Sequence, residues 1–490
     1  MSDKVFEGLE PKNVWKHFAE LLKIPRESKN EAKAAEYVEK VAKEKGCEIK
    51  RDDLGNVVVK VPATKGYEDK PIVVIQGHLD MVCEKNKSKE HDFAKDPITA
   101  VKEGDWITAD DTTLGADNGI AIAAGLAIIE DEDAVHGPLE LFFTVDEESG
   151  MSGVKKMSGT LLEGRTLLNL DSEEDGILYI GCAGGVDTKM SIDVKKEKAP
   201  EGYVPMLLNI GGLKGGHSGC DIHLGRGNAI KLLARALVYL GEKVKEADFR
   251  VASLDGGNKR NAIPRESEAT LYLDPKAKGK MEEALKTLED EWKIEFKIQE
   301  PGIALTLKEE GAKPGDVVAK EDYERIIQLL YTQPNGALQY SAAIEGLVET
   351  STNLGVVHLE GNTVTSTSLT RSSLESAKAS VAAQMRIIGN MIGAKVDQEA
   401  GYPGWNPNLD SNVLNKSKEV YKEMYGEEPE VKAIHAGLEC AIIGGKVPGM
   451  DMISYGPTIT GPHSPDEKLQ ISTVPKFYKY TKALLKALAS

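Results

Sequence analysis

"VVIQGHLDMV", residues 73–82, is an apolar run that closes on a histidine and an aspartate two positions apart. In an extended chain residues i and i+2 point to one side, so His78 and Asp80 are expected to project together from the carboxyl end of a strand. Open α/β sheets bind their ligands at that end. Similar strand patterns occur in "NVVVKV", "PIVVIQ", "LELFFTV" and "TLLNL". Between the second and third lies "DNGIAIAAGLAIIE", apolar nearly all round and rich in alanine, the pattern of a buried crossover helix. This alternation predicts an α/β domain with a mostly parallel central sheet flanked by helices. Two helices precede it. The first is the amphipathic "PKNVWKHFAELLKI", and the second opens with a capping-box pair, Ser28 and Glu31, and ends near Gly46.

From about residue 187 the texture changes. Strands "TKMSIDV", "RVASLDG", "SEATLYLD" and "IEFKIQ", with helices near 226–240 and 279–293, give a β-α-β-β-α-β order. After the loop around "EEGAKPGD" a helix, "VVAKEDYERIIQLLY", leads to "STNLGVVHL", "NTVTSTSLT", a long helix at 374–393 and "AKVDQEAG". That second run repeats the first without its opening strand, which raises the reading of two related halves. The expected organisation is therefore a catalytic domain in two segments, 1–186 and 403–490, interrupted by an inserted α+β lid and dimerisation domain at 187–402.

Composition narrows the function classes. With 41% hydrophobic and 28% charged residues, the 490-residue chain reads as globular with more than one core. Its 78 acidic against 61 basic residues, a net charge of −17, disfavour nucleic acid and anionic membrane as partners. No run of about 18 apolar residues and no apolar region in "MSDKVFEGLEPKN" is found, so a cytoplasmic location is expected. The five cysteines are scattered without C-x-x-C spacing, so any metal is expected on His, Asp and Glu.

Those residue types gather at strand ends. Besides His78 and Asp80, Asp117 follows a Gly-rich turn in "ADDTTLGADNG", "LELFFTV" runs into Asp146, Glu147 and Glu148, and "TLLNL" runs into Asp171. "GPHSPDE" adds His463 in a Pro-rich loop that the Ser464–Pro465 step keeps from being helical. Oxygen and imidazole donors in such a set suit zinc, manganese or cobalt. They suffice for two ions about 3.5 to 4 Å apart that share a carboxylate.

"GHLDMV", "TTLGADNG", "TVDEESGMSG", "NLDSEEDGILYIGCAGG", "GGHSGCDIH", "NAIP", "HAGLEC" and "GPHSPDE" together resemble the aminoacyl-histidine dipeptidase branch of the co-catalytic zinc aminoacylase and carboxypeptidase family, in the family's order and over essentially the whole chain. The resemblance implies two zinc ions per chain, with manganese or cobalt as substitutes. His78 and Asp171 would bind one ion and Glu148 and His463 the other, with Asp117 bridging, Glu147 as general base and Asp80 steadying His78. It further implies that His217 of the lid stabilises the oxyanion, supplied in some relatives by a partner subunit in a homodimer. Asn261 and Arg371 would face the substrate's carboxylate, and His435 and Glu439 would lie beside the substrate. Asp146 departs from relatives with a neutral residue there, and its position predicts that it points the same way as Glu148.

The implied activity is hydrolysis of unblocked dipeptides of the Xaa-His type, including β-Ala-His. Two alternatives stand beside it. One is an amidase of the same family, such as an N-acyl amino acid hydrolase or tripeptide aminopeptidase. The other is a binding protein without catalysis, which Glu147 argues against. His17, His91, His136, His223 and His358, and Cys83, are expected to be ordinary packing or loop residues.

Overall fold

The strand that ends at His78 occupies the middle of an eight-stranded sheet. In a computed structural model that describes residues 2–244, 248–310, 315–399 and 401–490, the chain divides into two compact units. The first comprises Met1–Gly181, Trp405–Ala433 and Leu438–Ser490, the second Cys182–Gly404 and Ile434–Gly437. Residues 311–314, inside the loop expected at 309–316, and residue 400 lie outside the described residues.

In the first unit the sheet runs Glu48–Arg51, Val57–Val61, Leu139–Thr144, Val73–His78, Thr166–Asn169, Asp451–Ser454, Ile177–Cys182, Glu430–Ile434. The strands at 139–144, 73–78, 166–169 and 451–454 pair in parallel, and the strands at 57–61 and 48–51 add on antiparallel. Every residue of Val73–His78 and Leu139–Thr144 is buried, as expected of central strands covered on both faces. The apolar helix Ala116–Glu130 packs on that sheet. Its start comes so close that a Cβ at Gly77 would lie 2.3 Å from Asn118 Oδ1 and 2.9 Å from Ala121 Cβ, so glycine at 77 is what admits it.

Ser28 does not cap the helix that follows it. That helix spans Ala32–Glu44 with Glu31 at its N-cap position and no side-chain cap. Ser28 Oγ instead donates to Asp80 Oδ2 (2.8 Å), and Glu31 Oε1 accepts from the amides of Lys29 (2.7 Å) and Asp146 (2.9 Å). The expected capping pair is drawn into support of the strand ends.

The second unit is built on a nine-stranded antiparallel sheet, with Gly336–Tyr340 paired on one side of Val348–Glu360. The remaining order is Ala304–Glu309, Val204–Gly211, Ser267–Leu273, Phe249–Gly256, Val348–Glu360, Thr363–Ser372, Gly184–Asp193, Lys395–Gln398. The order is palindromic in connectivity. The strands at 204–211, 249–256, 267–273 and 304–309 with helices Ala229–Lys243 and Lys278–Glu295 form one half. Those at 184–193, 348–360, 363–372 and 395–398 with helices Lys320–Thr332 and Glu375–Met391 form the other. The halves join where Asp255 and Gly256 pair His358 and Val357.

Three expectations are corrected here. "TKMSIDV" opens the second half, not the first, because it pairs with 363–372 and 395–398; the first half opens with "VPMLLNIG", which the sequence pattern did not single out. "VVAKEDYERIIQLLY" begins as a short strand, Asp316–Val318, before its helix. "IEFKIQ" is no strand: the helix runs to Glu295 to seat Trp292, which continues the buried stripe Met281, Leu285, Leu288. Ile294 and Ile298, whose alternation imitated a strand, are 80% and 83% exposed.

Candidate active site

The parallel strands bring His78, Glu147, Glu148 and Asp171 to one end of the first unit's sheet. Two turns complete the set. The non-helical first turn of helix 116–130 supplies Asp117, and a loop in which His463 adopts φ 60°, the left-handed region, supplies the second histidine.

Asp117 organises the geometry. Its Oδ1 lies 3.1 Å from His78 Nε2, and its Oδ2 lies 3.1 Å from His463 Nε2. On one side His78 Nε2 also faces Asp171 Oδ1 at 3.2 Å; on the other His463 Nε2 also faces Glu148 Oε2 at 3.0 Å. The five side chains thus sort into two imidazole-carboxylate pairs with one carboxylate between them. One N–H satisfies one acceptor, yet each Nε2 faces two carboxylate oxygens. Donor atoms of His78, Asp117 and Glu148 lie within 4.8 Å of one another, and Glu148 Oε1 is buried with no hydrogen-bond partner among the described residues. Ligands about 2.0 Å from a tetrahedral ion lie about 3.3 Å apart. The residues present therefore fit a pair of divalent cations.

The charges give the same answer. Burial, the largest influence on His78, opposes its protonation, but Asp171, Asp117 and Asp80 overcome it and hold the imidazole well above its usual range. Hydrogen bonds to Asp117 and Glu148 push His463 up to about 11. Burial would raise Asp117, yet the two histidines hold it below the usual carboxylate range. Burial pushes Asp171 up to about 6. Positive charge is demanded at the two points where cations would sit.

Asp80 is the brace behind this set. Its Oδ1 approaches His78 Nδ1 at 3.3 Å and accepts from the Glu147 amide (3.1 Å), while Oδ2 accepts from the Glu148 amide (3.1 Å) and from Ser28. Asp80 thereby fixes the histidine ring, whose Nδ1 also meets the Asp80 carbonyl (3.2 Å), and the backbone of both glutamates. Burial, with Asp171, Glu148 and Glu439 as like charges, pushes Glu147 well above the carboxylate range despite the opposing pull of His78.

Asp146 does not point with Glu148. Its φ of 55° turns the chain into the short helix Glu147–Gly150, and its carboxylate accepts from Ser149 and from Ser152 (2.5 Å). The charge expected beside Glu148 is instead taken up by two serine hydroxyls.

Glu439 lies fully buried in the first unit, with Oε2 accepting from Gln76 Nε2 and Thr144 Oγ1, both at 2.6 Å. Burial pushes it up to about 8. Gln76 Oε1 in turn accepts from Asn169 (2.5 Å), so a polar chain crosses the sheet behind the site. Polar residues inside "VVIQGH" and "TLLNL" were the signal for it. Sequence reasoning also missed Arg26, Glu173 and Glu467; burial and the nearby Asp117 and Asp171 push Glu173 up to about 9.

The other expected residues belong to the second unit. His217 and Asn261 line a cavity of about 810 Å³ with Lys214, Lys259 and Arg265. His217 pairs Ala262 in a two-residue ladder, and the Ser218 amide donates to the Asn261 carbonyl (2.8 Å). His217 Nδ1 accepts from the amides of Gly219 (3.3 Å) and Cys220 (3.2 Å). That fixes the tautomer, leaving Nε2 to carry the proton as a donor. A Cβ at Gly219 would strike the His435 carbonyl at 2.5 Å and His217 Cε1 at 3.0 Å, so His435 and His217 flank one glycine. His435 Nε2 meets Ser351 Oγ at 2.7 Å, and burial lowers it to about 3. Arg371 sits buried on strand Thr363–Ser372, with Nη1 donating to Tyr402 (2.9 Å) and Nε without a partner among the described residues.

Residues 74–487 match peptidase family M20/M25/M40, and the chain belongs to that family; it is a peptidase. It is 42% identical over 480 residues to the cytosol non-specific dipeptidase of Escherichia coli K12, covering 98% of both chains. The crystal structure of aminoacylhistidine dipeptidase from Vibrio alginolyticus is likewise 42% identical over 98% of each chain, with a TM-score of 0.89. A metallo-carboxypeptidase from Sulfolobus solfataricus, 16% identical over 97% of this chain and 99% of its own, has a TM-score of 0.56 and shows the fold alone. Among the described residues no helix is long and apolar enough to cross a membrane.

Proposed function

We propose that the chain is a di-metal dipeptidase that hydrolyses unblocked dipeptides, including those with histidine at the second position such as β-Ala-His. The observation that carries this is Asp117, whose two oxygens each face a separate imidazole-carboxylate pair. His78 and Asp171 would hold one ion, Glu148 and His463 the other, with zinc the favoured metal and manganese or cobalt as substitutes. When bound, the pair of ions polarises the scissile carbonyl and lowers the pKa of water.

The chain's own groups do the rest. Glu147 takes the proton of the attacking water on its carboxylate and delivers it to the departing amine. Asp80 keeps His78 oriented and both glutamates in register. His217 offers its Nε2 proton to the developing oxyanion, from its own chain's second unit or from that of a partner in a homodimer. Arg371 and Asn261 take the substrate's carboxylate, His435 lies beside the substrate, and Glu439 supports the site from behind the sheet. The 42% identical relative is named as cytosolic, and the same location is proposed here. An assay of Ala-Ala, β-Ala-His and acetyl-amino acids, with and without zinc, tests the proposal. Zinc-dependent cleavage of the free dipeptides supports it; preference for the acetylated compounds would favour an amidase, and no cleavage at all would favour a binding protein.

A further inference from the structure

We infer that Glu467 is a positioning residue for the metal centre, which with Arg26 locks the Asp117 turn to the His463 loop and to the end of the His78 strand; this rests on the di-metal reading above. Glu467 Oε2 accepts from the amides of Leu114 (2.8 Å) and Gly115 (2.9 Å), and Oε1 from those of Ala116 (2.8 Å) and Asp117 (3.2 Å). One carboxylate from far along the chain thus satisfies the consecutive amides that open helix 116–130, donors that have no partner within a helix. Glu467 shares its loop with His463. The loop is tied internally by the Glu467 amide to the Ser464 carbonyl (3.1 Å) and by Ser464 Oγ to the Gly461 carbonyl (2.8 Å), so a shift of Glu467 carries His463 with it.

Arg26 completes the lock from the other side. Its Nη1 donates to the carbonyls of Leu79 (3.1 Å) and Asp80 (2.7 Å), and its Nη2 to the carbonyl of Gly115. Arg26 and Glu467 are 1% and 2% exposed. The turn between them has no slack: a Cβ at Gly115 would lie 2.6 Å from Arg26 Nη2 and 2.7 Å from Met81 Sδ. Neither side chain is a proposed ligand, and both act through the ligands they hold.

Glutamine at 467 keeps the shape but supplies one acceptor oxygen where the carboxylate supplies two, turning an NH2 group towards two of the amides. The experiment titrates metal-free wild type, Glu467→Gln and Glu467→Asp with buffered zinc, counts bound zinc per chain, and melts each metal-free protein in parallel. The expected result is zinc affinity weakened by roughly 10- to 100-fold in both variants, the usual cost of losing a group that orients ligands, with one ion per chain lost before the other. The aspartate variant keeps the charge and loses the reach, so it reports if the glutamine variant fails to fold. A zinc titration that superimposes on wild type in a folded variant, with only the melting temperature lowered, would make Glu467 a plain structural brace and overturn the inference. Wild type that binds fewer than two ions would instead overturn the di-metal reading itself.

Discussion

Around Asp117 the polar groups are committed to one another: two histidines face three carboxylates, and Asp80 behind them holds a ring and two backbone amides. Around His217 the polar side chains of Lys214, Lys259, Asn261 and Arg265 line an open volume of about 810 Å³, on loops shaped by Gly215 and Gly216 with positive φ. The first arrangement joins three strand ends, a helix start and a loop over a buried core. The second is a histidine whose Nδ1 accepts from two backbone amides beside a polar cavity. Under the proposed function the two regions have different jobs, holding cations and meeting substrate, so damage in one is predicted to be distinguishable from damage in the other.

The largest effect is expected at the shared carboxylate. Asp117→Ala should release both ions and abolish dipeptide hydrolysis, read by metal analysis and turnover of Ala-Ala together; retention of two ions would show that Asp117 does not hold them. Glu147→Gln comes next. It removes general acid-base catalysis, worth roughly 10²- to 10⁴-fold in turnover, while the ions stay, whereas Glu148→Gln should lose metal as well. Equal metal content in both would erase the distinction between base and ligand.

In the second unit the expected losses are kinetic only. His217→Ala should lower kcat by about 10²- to 10³-fold, as for other oxyanion donors, with metal content unchanged; loss of zinc from this variant would show the two regions to be one. Arg371→Ala gives the smallest effect. A hydrogen bond to a charged group contributes about 1.5 to 3 kcal/mol, or about 10- to 100-fold in kcat/KM, and the loss should appear mainly in KM. A fall confined to kcat would remove Arg371 from carboxylate binding.

The region around Asp117 was legible in the sequence because three apolar strands end in the same chemistry, at His78, Glu148 and Asp171. Alternation along "VVIQGHLDMV" sufficed to put His78 and Asp80 on one side. Asp146 was misplaced because the rule of alternation stops where the strand does, and a left-handed residue follows Thr144 and Val145. Glu467 and Arg26 left no local signal, since their partners are backbone groups distant in the chain. The second unit was less legible for a related reason. Its second half begins at 184 and resumes only at 320, a separation that local pattern does not bridge. "IEFKIQ" shows the opposite failure, a short alternation outweighed by the helical stripe that buries Trp292.

If Asp117 joins two ions, manganese makes the pair visible. Metal-free protein loaded with two equivalents of Mn²⁺ and examined by electron paramagnetic resonance should show the multiline signal of a spin-coupled pair, because ions sharing a carboxylate lie only about 3.5 to 4 Å apart. Asp117→Asn should lose that coupling at any loading. A wild-type spectrum containing only the six-line signal of isolated ions would contradict the account.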